Sequence, residues 1–487
     1  MAAADARRLA AELVAALVAG EGEASALRVD GIDLRSALEQ QLFFALRDGR
    51  RAPSGLRAAL SARAAGLAQL AIAIAGAVMA GRLPDPGAGP VVALVREKVH
   101  VSALARIEDE LRALTGQPIA ILRVGRAARG AVAHGMAPPL WRFMSWAKLQ
   151  VLREHGRRLT ALRAAPAAWA DLLGSAARAA ELARIASVEL RRIALGAAAM
   201  SAAVEAWRPS ILVAFDEVGT WARILPAVAR HHGIPSLDLP HAEAADAEAI
   251  AGAAYDRMAV YGPQAATVLR RAGIAAERIV EIGAPRFDVL ADAVEAAEAA
   301  EAAQPAPGGL PRVVYAGQYP TEALSAEMVS NGLRTAIAMG ASIGGAEIVA
   351  VPHPAEPANM LQRITDGMDM PAGVTLRVAA GELHAMLPGA WLLVTCWSNS
   401  VLEAALLGVP ALTVYPVGAA PVDFAADGLA LFATGPGDVD GVAARLLDPV
   451  ERGAVLDTSR SAVRERIAVD PGRASERAAQ LIVELQA

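Results

Sequence analysis

The residues able to do chemistry in this chain sit directly behind short apolar runs. The most informative stretch is WLLVTCWSNSVLEAALLGVP, Trp391 to Pro410. A buried strand is expected to end at Thr395. Ser398, Asn399 and Ser400 follow, then a helix with Glu403 in its first turn, stopped by Gly408 and Pro410. Hydroxyls beside the unbonded N–H groups of a helix start suit a phosphate. Glu403 could close a capping box on Ser400 or accept from ribose hydroxyls. A plain capped helix is the alternative.

A second stretch, AVPHPAEP (Ala350 to Pro357), ends a strand at Val351 and then fixes His353 between Pro352 and Pro354. Each proline restricts the residue before it, so the imidazole has little freedom. Held at a strand's carboxyl end, it can donate to a phosphate oxygen. A loop histidine taken alone is more often a surface residue. The Ser-Asn-Ser loop about 45 residues later is what favours a ligand role.

A third stretch, FDEVGTW (Phe215 to Trp221), places Asp216 and Glu217 where a strand gives way to a helix. A carboxylate there could take the proton of an acceptor hydroxyl; helix capping by Asp216 is the competing reading. Asp216 comes first after the strand and is preferred as the base, with Glu217 second. LPHAEAAD (Leu239 to Asp246) puts His241 in another loop after a strand. EIGAPRFD (Glu281 to Asp288) reads as a structural turn in which Arg286 and Asp288 can pair.

These loops need strands and helices to hold them. Residues 1–85 read as helices, and GRLPDPGAGP (Gly81 to Pro90) breaks the pattern. VVALV and IAILRV read as short buried strands, and residues 138–207 as an arginine-rich helical insertion. From Ser210 strands alternate with helices: ILVAF, SLDL, RMAVY and RIVEIG, then RVVYAG, EIVAVPHP, VTLRV, WLLVTCWSNS and ALTVY. Such alternation argues for parallel sheets covered on both faces. The Ala/Glu stretch running into Gln-Pro-Ala-Pro-Gly-Gly at 291–310 marks a linker. The expected division is a helical region at 1–85, a Rossmann-like acceptor domain at 86–300 and a Rossmann-like nucleotide domain at 301–487. Two such domains on one chain imply a cleft, with ligands beyond the carboxyl ends of the strands.

Composition narrows the classes further. A chain of 487 residues is too long for one ordinary core. The longest uncharged apolar run, near Leu67 to Ala80, is about 14 residues, short of the ~20 a spanning helix needs. The first 20 residues, charged at Asp5, Arg7, Arg8 and Glu12, read as an amphipathic helix and not as a signal peptide. Cys396 is the only cysteine, which excludes an internal disulfide, and a cytoplasmic location is the default. The net charge of −5 hides a split. Residues 1–200 carry 27 Lys+Arg against 17 Asp+Glu, a balance of +10, and the remainder carries 19 against 34, a balance of −15. The basic half could meet an anionic glycan or the inner face of a membrane; ordinary solvated helix faces are the alternative. Nucleic acid is not expected as a partner.

The order DEVG, GIPSLDLPHA, IGAPRFD, PHP and SNSVLEAALLGVP resembles the bacterial GT-B enzymes that build surface polysaccharides. These include sialyl- and polysialyltransferases, Kdo-type transferases and glycerophosphotransferases. The resemblance spans about residues 205–415. It implies an α/β fold of two doubly wound Rossmann-like domains facing a cleft, with extra N-terminal helices. In such enzymes a His-Pro motif and a serine motif hold the donor phosphate, and an acidic motif supplies the base. The roles fall on His353 with Pro354, on Ser398, Asn399 and Ser400 with Glu403, and on Asp216 or Glu217. Relatives often carry Gln-His-Gly where this chain has Pro240, His241 and Ala242, and Val218 here precedes Gly219.

The implied activity is transfer of a sugar from a CMP-, UDP- or CDP-linked donor to a hydroxyl of a surface glycan or glycoconjugate. No metal is expected, and no cofactor beyond the nucleotide-sugar substrate. Two alternatives share the architecture. A nucleotide-sugar 2-epimerase would convert its donor without an acceptor, and a non-catalytic GT-B-like protein would bind nucleotide weakly or not at all.

Overall fold

The apolar runs form two six-stranded parallel sheets in the computed structural model of the chain. The structure describes residues 1–19, 25–49, 85–96, 98–124, 137–159, 165–240, 246–291, 310–320, 324–353, 359–379, 383–418, 422–467 and 472–487, and a few single positions between these ranges. Pro354, His241 and the 292–309 linker lie outside the described residues, as does most of the Leu67–Ala80 run. None of the described helices is long and apolar enough to cross a membrane.

The chain divides into two compact units. The first comprises Met1–Val260, Ala265–Pro285 and Ser475–Ala487; the second comprises Tyr261–Gln264 and Arg286–Ala474. The expected three-part division therefore shifts at both ends. Helices Ala3–Val18 and Arg35–Arg47 share one buried cluster with the sheet residues Val92, Leu94 and Leu122, so the described part of residues 1–85 belongs to the first unit. The last helix, Ala474–Gln486, packs Ala478, Ala479 and Ile482 under the same sheet.

Between helices Ala3–Val18 and Arg35–Arg47 the first unit has a hairpin, β1 (Arg28–Val29) and β2 (Ile32–Asp33), where the sequence reading has only helices. Asp30 and Gly31 turn it at φ 52° and 78°, as a two-residue Asp-Gly turn requires. Its main sheet holds β3 (Val91–Val95), β4 (Ile119–Arg123), β5 (Ile211–Ala214), β6 (Ser236–Asp238), β7 (Arg257–Val260) and β8 (Ile279–Glu281), in the order β4-β3-β5-β6-β7-β8. Successive side chains of a strand point to opposite faces. Accordingly Val92, Leu94 and Leu212 meet the layer that holds the 32-residue helix Ala176–Trp207. Val91, Ala93, Ile211 and Val213 meet helices Lys98–Thr115 and Ala474–Gln486. Helix Trp221–His232 stops at Gly233, which takes φ 68°.

The second unit's sheet holds β9 (Arg312–Ala316), β10 (Ala346–Val351), β11 (Val374–Val378), β12 (Leu392–Thr395), β13 (Ala411–Val414) and β14 (Leu431–Ala433), in the order β11-β10-β9-β12-β13-β14. Its interior strands are buried on both faces, as a parallel sheet demands.

Candidate functional site

In both sheets the strand order reverses at one place, and ligands of open α/β sheets bind at such switch points. In the first unit the switch lies between β3 and β5. Arg96 directly follows β3 and Asp216 follows β5. Arg96 donates to the Asp216 carboxylate at 2.7 Å, so an ion pair closes the switch. The second carboxylate oxygen accepts the Gly219 N–H at 2.6 Å. A Cβ on Gly219 would stand 2.6 Å from both carboxylate oxygens, so any side chain there must move the Asp216–Arg96 pair. Asp216 thus caps its own loop; helix Trp221–His232 begins at Thr220 without a side-chain cap.

Two more carboxylates join this cluster. Asp238, the last residue of β6, accepts the Asp216 N–H at 2.9 Å. Burial pushes its carboxyl well above the usual carboxylate range, and the neighbouring charges of Glu217 and Asp216 push it the same way. Glu217 is half-buried, whereas Asp216 and Asp238 are buried. The cluster therefore gathers three acidic side chains, of which Asp216 is paired with Arg96 and Glu217 lies nearest the surface. The Tyr255 hydroxyl donates to the Asp216 carbonyl at 3.1 Å, and His100 stacks on Phe215 with ring centres 5.2 Å apart.

In the second unit the switch lies between β9 and β12. Here a neutral amide closes it. Gln318, two residues beyond β9, accepts from the Trp397 N–H at 3.1 Å and the Thr395 hydroxyl at 3.4 Å through Oε1. The next residue, Tyr319, lies 5.0 Å, ring centre to ring centre, from His353 beyond β10. The His353 N–H donates to Glu356 at 3.2 Å. Gly317 passes so close to β10 that a Cβ would meet the Val351 carbonyl at 2.8 Å.

The serine loop follows β12 as expected. Ser398 accepts the Ser400 N–H at 3.2 Å, Asn399 precedes helix Ser400–Leu406 without a side-chain cap, and Glu403 lies in its first turn. The capping box does not form. Glu403 instead pairs with Arg286 at 2.5 Å, and the Ser400 hydroxyl, 2% exposed, has no hydrogen-bond partner among the described residues. Burial works against the Arg286 charge, but Glu403 outweighs it and holds the guanidinium above its ordinary pKa. The Arg286–Asp288 pairing is also corrected: Asp288 accepts the N–H groups of Gly472 and Ala474 at 3.0 and 3.2 Å. Both acidic partners were mispaired for one reason, that sequence proximity is a weak guide where a turn bends the chain.

The second unit thus places the His353 loop beyond β10 and the loop of Ser398, Asn399 and Ser400 beyond β12, on either side of β9, with Glu403 in the helix that follows. The first gathers Asp216 and Glu217. Spacing arguments do not select Arg96 or Asp238. Their signals were a charge at the end of VVALV and a carboxylate inside the buried strand SLDL.

No protein-family model matches the chain, and no curated protein matches it. Solved structures do. A Listeria monocytogenes protein provisionally named a UDP-N-acetylglucosamine 2-epimerase aligns with 81% of this chain and 96% of its own, at 15% identity and a TM-score of 0.52. The Neisseria meningitidis UDP-GlcNAc 2-epimerase, solved bound to UDP-GlcNAc, aligns with 81% and 100% at 13% identity and a TM-score of 0.51. The S. aureus MnaA–UDP structure aligns with 81% and 97% at 12% identity and a TM-score of 0.50. The fold is that of GT-B proteins, with two Rossmann-like units.

Proposed function

We propose that the chain is a glycosyltransferase that takes its sugar from a nucleotide-linked donor, with a glycan or glycoconjugate hydroxyl as acceptor. The observation that carries the reading is the pair of polar clusters at the two switch points, one acidic and one rich in hydroxyls and N–H groups. The second unit's loops bind the donor phosphate. The buried Ser400 hydroxyl lacks a partner, and leaving such a group unmet costs roughly 1–3 kcal/mol. A phosphate oxygen would satisfy it, with His353 and Ser398 beside it. The first unit's carboxylates take the acceptor proton. Between the two expected bases Glu217 is preferred, because it lies nearer the surface, where an acceptor hydroxyl can reach it, whereas Asp216 is buried.

Chemically, the acceptor oxygen attacks the anomeric carbon while the bond to the nucleotide phosphate breaks. The proton passes to Glu217, and the N–H and hydroxyl groups of the serine loop stabilise the departing phosphate. The basic half of the sequence suits an anionic acceptor or lipid headgroup.

A second reading is favoured by one observation. A carboxyl raised well above its ordinary range beside a second acidic side chain is the arrangement an acid–base pair needs, which also suits a nucleotide-sugar 2-epimerase. The test is to incubate the purified chain with UDP-, CDP- and CMP-linked sugars, with and without glycan acceptors. Release of nucleotide only when acceptor is present supports the transferase. Conversion of the donor sugar without acceptor supports the epimerase. Binding without either reaction would leave a non-catalytic protein.

A further inference from the structure

The N-terminal helices add little to the resemblance, yet their buried polar groups converge on the acidic loop. Gln40, in the middle of helix Arg35–Arg47, is fully buried. Its amide nitrogen donates to the Val218 carbonyl at 2.5 Å and to the Ala249 carbonyl at 2.9 Å. Its oxygen accepts from Arg7 at 2.8 Å and from Arg223 at 3.1 Å. Two donors and two lone pairs are thereby all used. The neighbouring Gln41 donates to the Thr220 hydroxyl at 2.8 Å. Arg223 also donates to the carbonyls of Ala249, Ile250 and Ala251, at 3.1, 3.0 and 2.7 Å, and to the Glu217 carbonyl at 3.4 Å. Arg7, from helix Ala3–Val18, donates to the Glu248 carbonyl at 2.9 Å and lies over the Phe43 ring. Burial, with the Arg7 charge nearby, lowers the Arg223 guanidinium to about 10.

We infer that Gln40 is a positioning residue for Glu217: it joins the N-terminal helix pair and Arg223 to the 216–220 loop and the 247–251 turn, and so fixes where that carboxylate stands. This rests on the proposed role of Glu217 as base. A buried amide that is only structural would hold the two helices together. This one instead spends both of its N–H groups on carbonyls of the two loops that follow β5 and β6, 178 and 209 residues away in sequence. A positioning error of about 1 Å at a reacting group can lower a rate 10²-fold.

The test uses Gln40→Glu and Gln40→Met in the full chain. Glutamate keeps the acceptor for Arg7 and Arg223, loses the donors to the loops and sets a carboxylate oxygen against the two carbonyls; methionine loses donor and acceptor without adding charge. Amide hydrogen exchange is read over 216–220 and 247–251, beside turnover of a UDP-, CDP- and CMP-sugar panel as a function of pH, with Glu217→Gln in parallel. Expected for Gln40→Glu are exchange at least tenfold faster in both segments, kcat lowered tenfold or more with nucleotide affinity kept, and a displaced pH profile. Unchanged exchange in the Glu variant would overturn the inference. So would faster exchange with wild-type kcat and pH profile while Glu217→Gln is inactive. If Glu217→Gln retains full activity, the base assignment fails instead, and exchange alone then decides whether Gln40 positions the loop.

Discussion

The two switch points have the same topology and opposite polar chemistry. In the first unit the groups on either side are charged and bonded to each other: Arg96 to Asp216, Asp216 to Gly219, and Asp238 to the Asp216 N–H. In the second the bridge is the neutral Gln318, and a buried hydroxyl beside it, Ser400, is left unmet. Buried polar groups in native proteins are normally satisfied, so an exception invites an explanation. The difference teaches that the first cluster bonds its charges within the protein, while the second keeps an unmet group, which the proposed function assigns to an anion.

The contrast can be attacked first where charge is most deeply committed. Arg286→Met leaves Glu403 buried without its cation, and breaking such a pair from one side costs about 3–5 kcal/mol. A urea midpoint shows the loss, and the double variant with Glu403→Gln should recover much of it. Gly219→Ala comes next. The new methyl must displace the Asp216–Arg96 pair, at about 1–3 kcal/mol, with Asp216→Asn falling in the same range through its lost charged hydrogen bonds. Near-wild-type stability in both would show that the ion pair does not hold the turn.

A smaller effect, of opposite sign, separates the clusters by pH. The Asp238 carboxyl is raised on folding, so its stabilising contribution is full below the ordinary Asp range and is lost as pH climbs through its folded value. Asp238→Asn keeps an oxygen for the Asp216 N–H and removes that loss. Its melting temperature should match wild type in acid and exceed it above neutrality; a deficit at high pH would mean that Asp238 works as a carboxylate. Least perturbing is a chemical probe. Burial pushes the Cys396 thiol to about 12, so alkylation of the native protein at pH 8 should be negligible and appear only on unfolding.

Most of the strands were legible because they are apolar runs, as in VVALV and ILVAF, and two-face burial leaves few other choices. The site loops were legible for a related reason, since Asp216, His353 and Ser398 are the first polar residues past such runs. What escaped lacked a periodic signal. Strand β14 is three residues long at a sheet edge, and the Asp30-Gly31 turn was overridden by the helical pattern around it. The bond partners escaped most completely. Nothing near Gln40 in sequence points to Val218, and Glu403 met Arg286 across 117 residues in place of Ser400 three residues away. Local spacing reveals which residues can do chemistry, while long-range packing decides which of them are already engaged.

The division between a binding cluster and a proton-handling cluster is tested most directly by one paired measurement. Nucleotide affinity, by thermal shift against UDP, CDP, CMP and GDP, is read beside turnover for Glu217→Gln and Ser400→Ala. Binding raises stability by about 2.7 kcal/mol at a hundredfold excess over Kd. Glu217→Gln should lose about 10²–10⁴-fold in turnover and keep its nucleotide shift. Ser400→Ala should lose nucleotide affinity by about tenfold, the equivalent of ~1.4 kcal/mol. Full turnover in Glu217→Gln together with wild-type nucleotide affinity in Ser400→Ala would contradict the division.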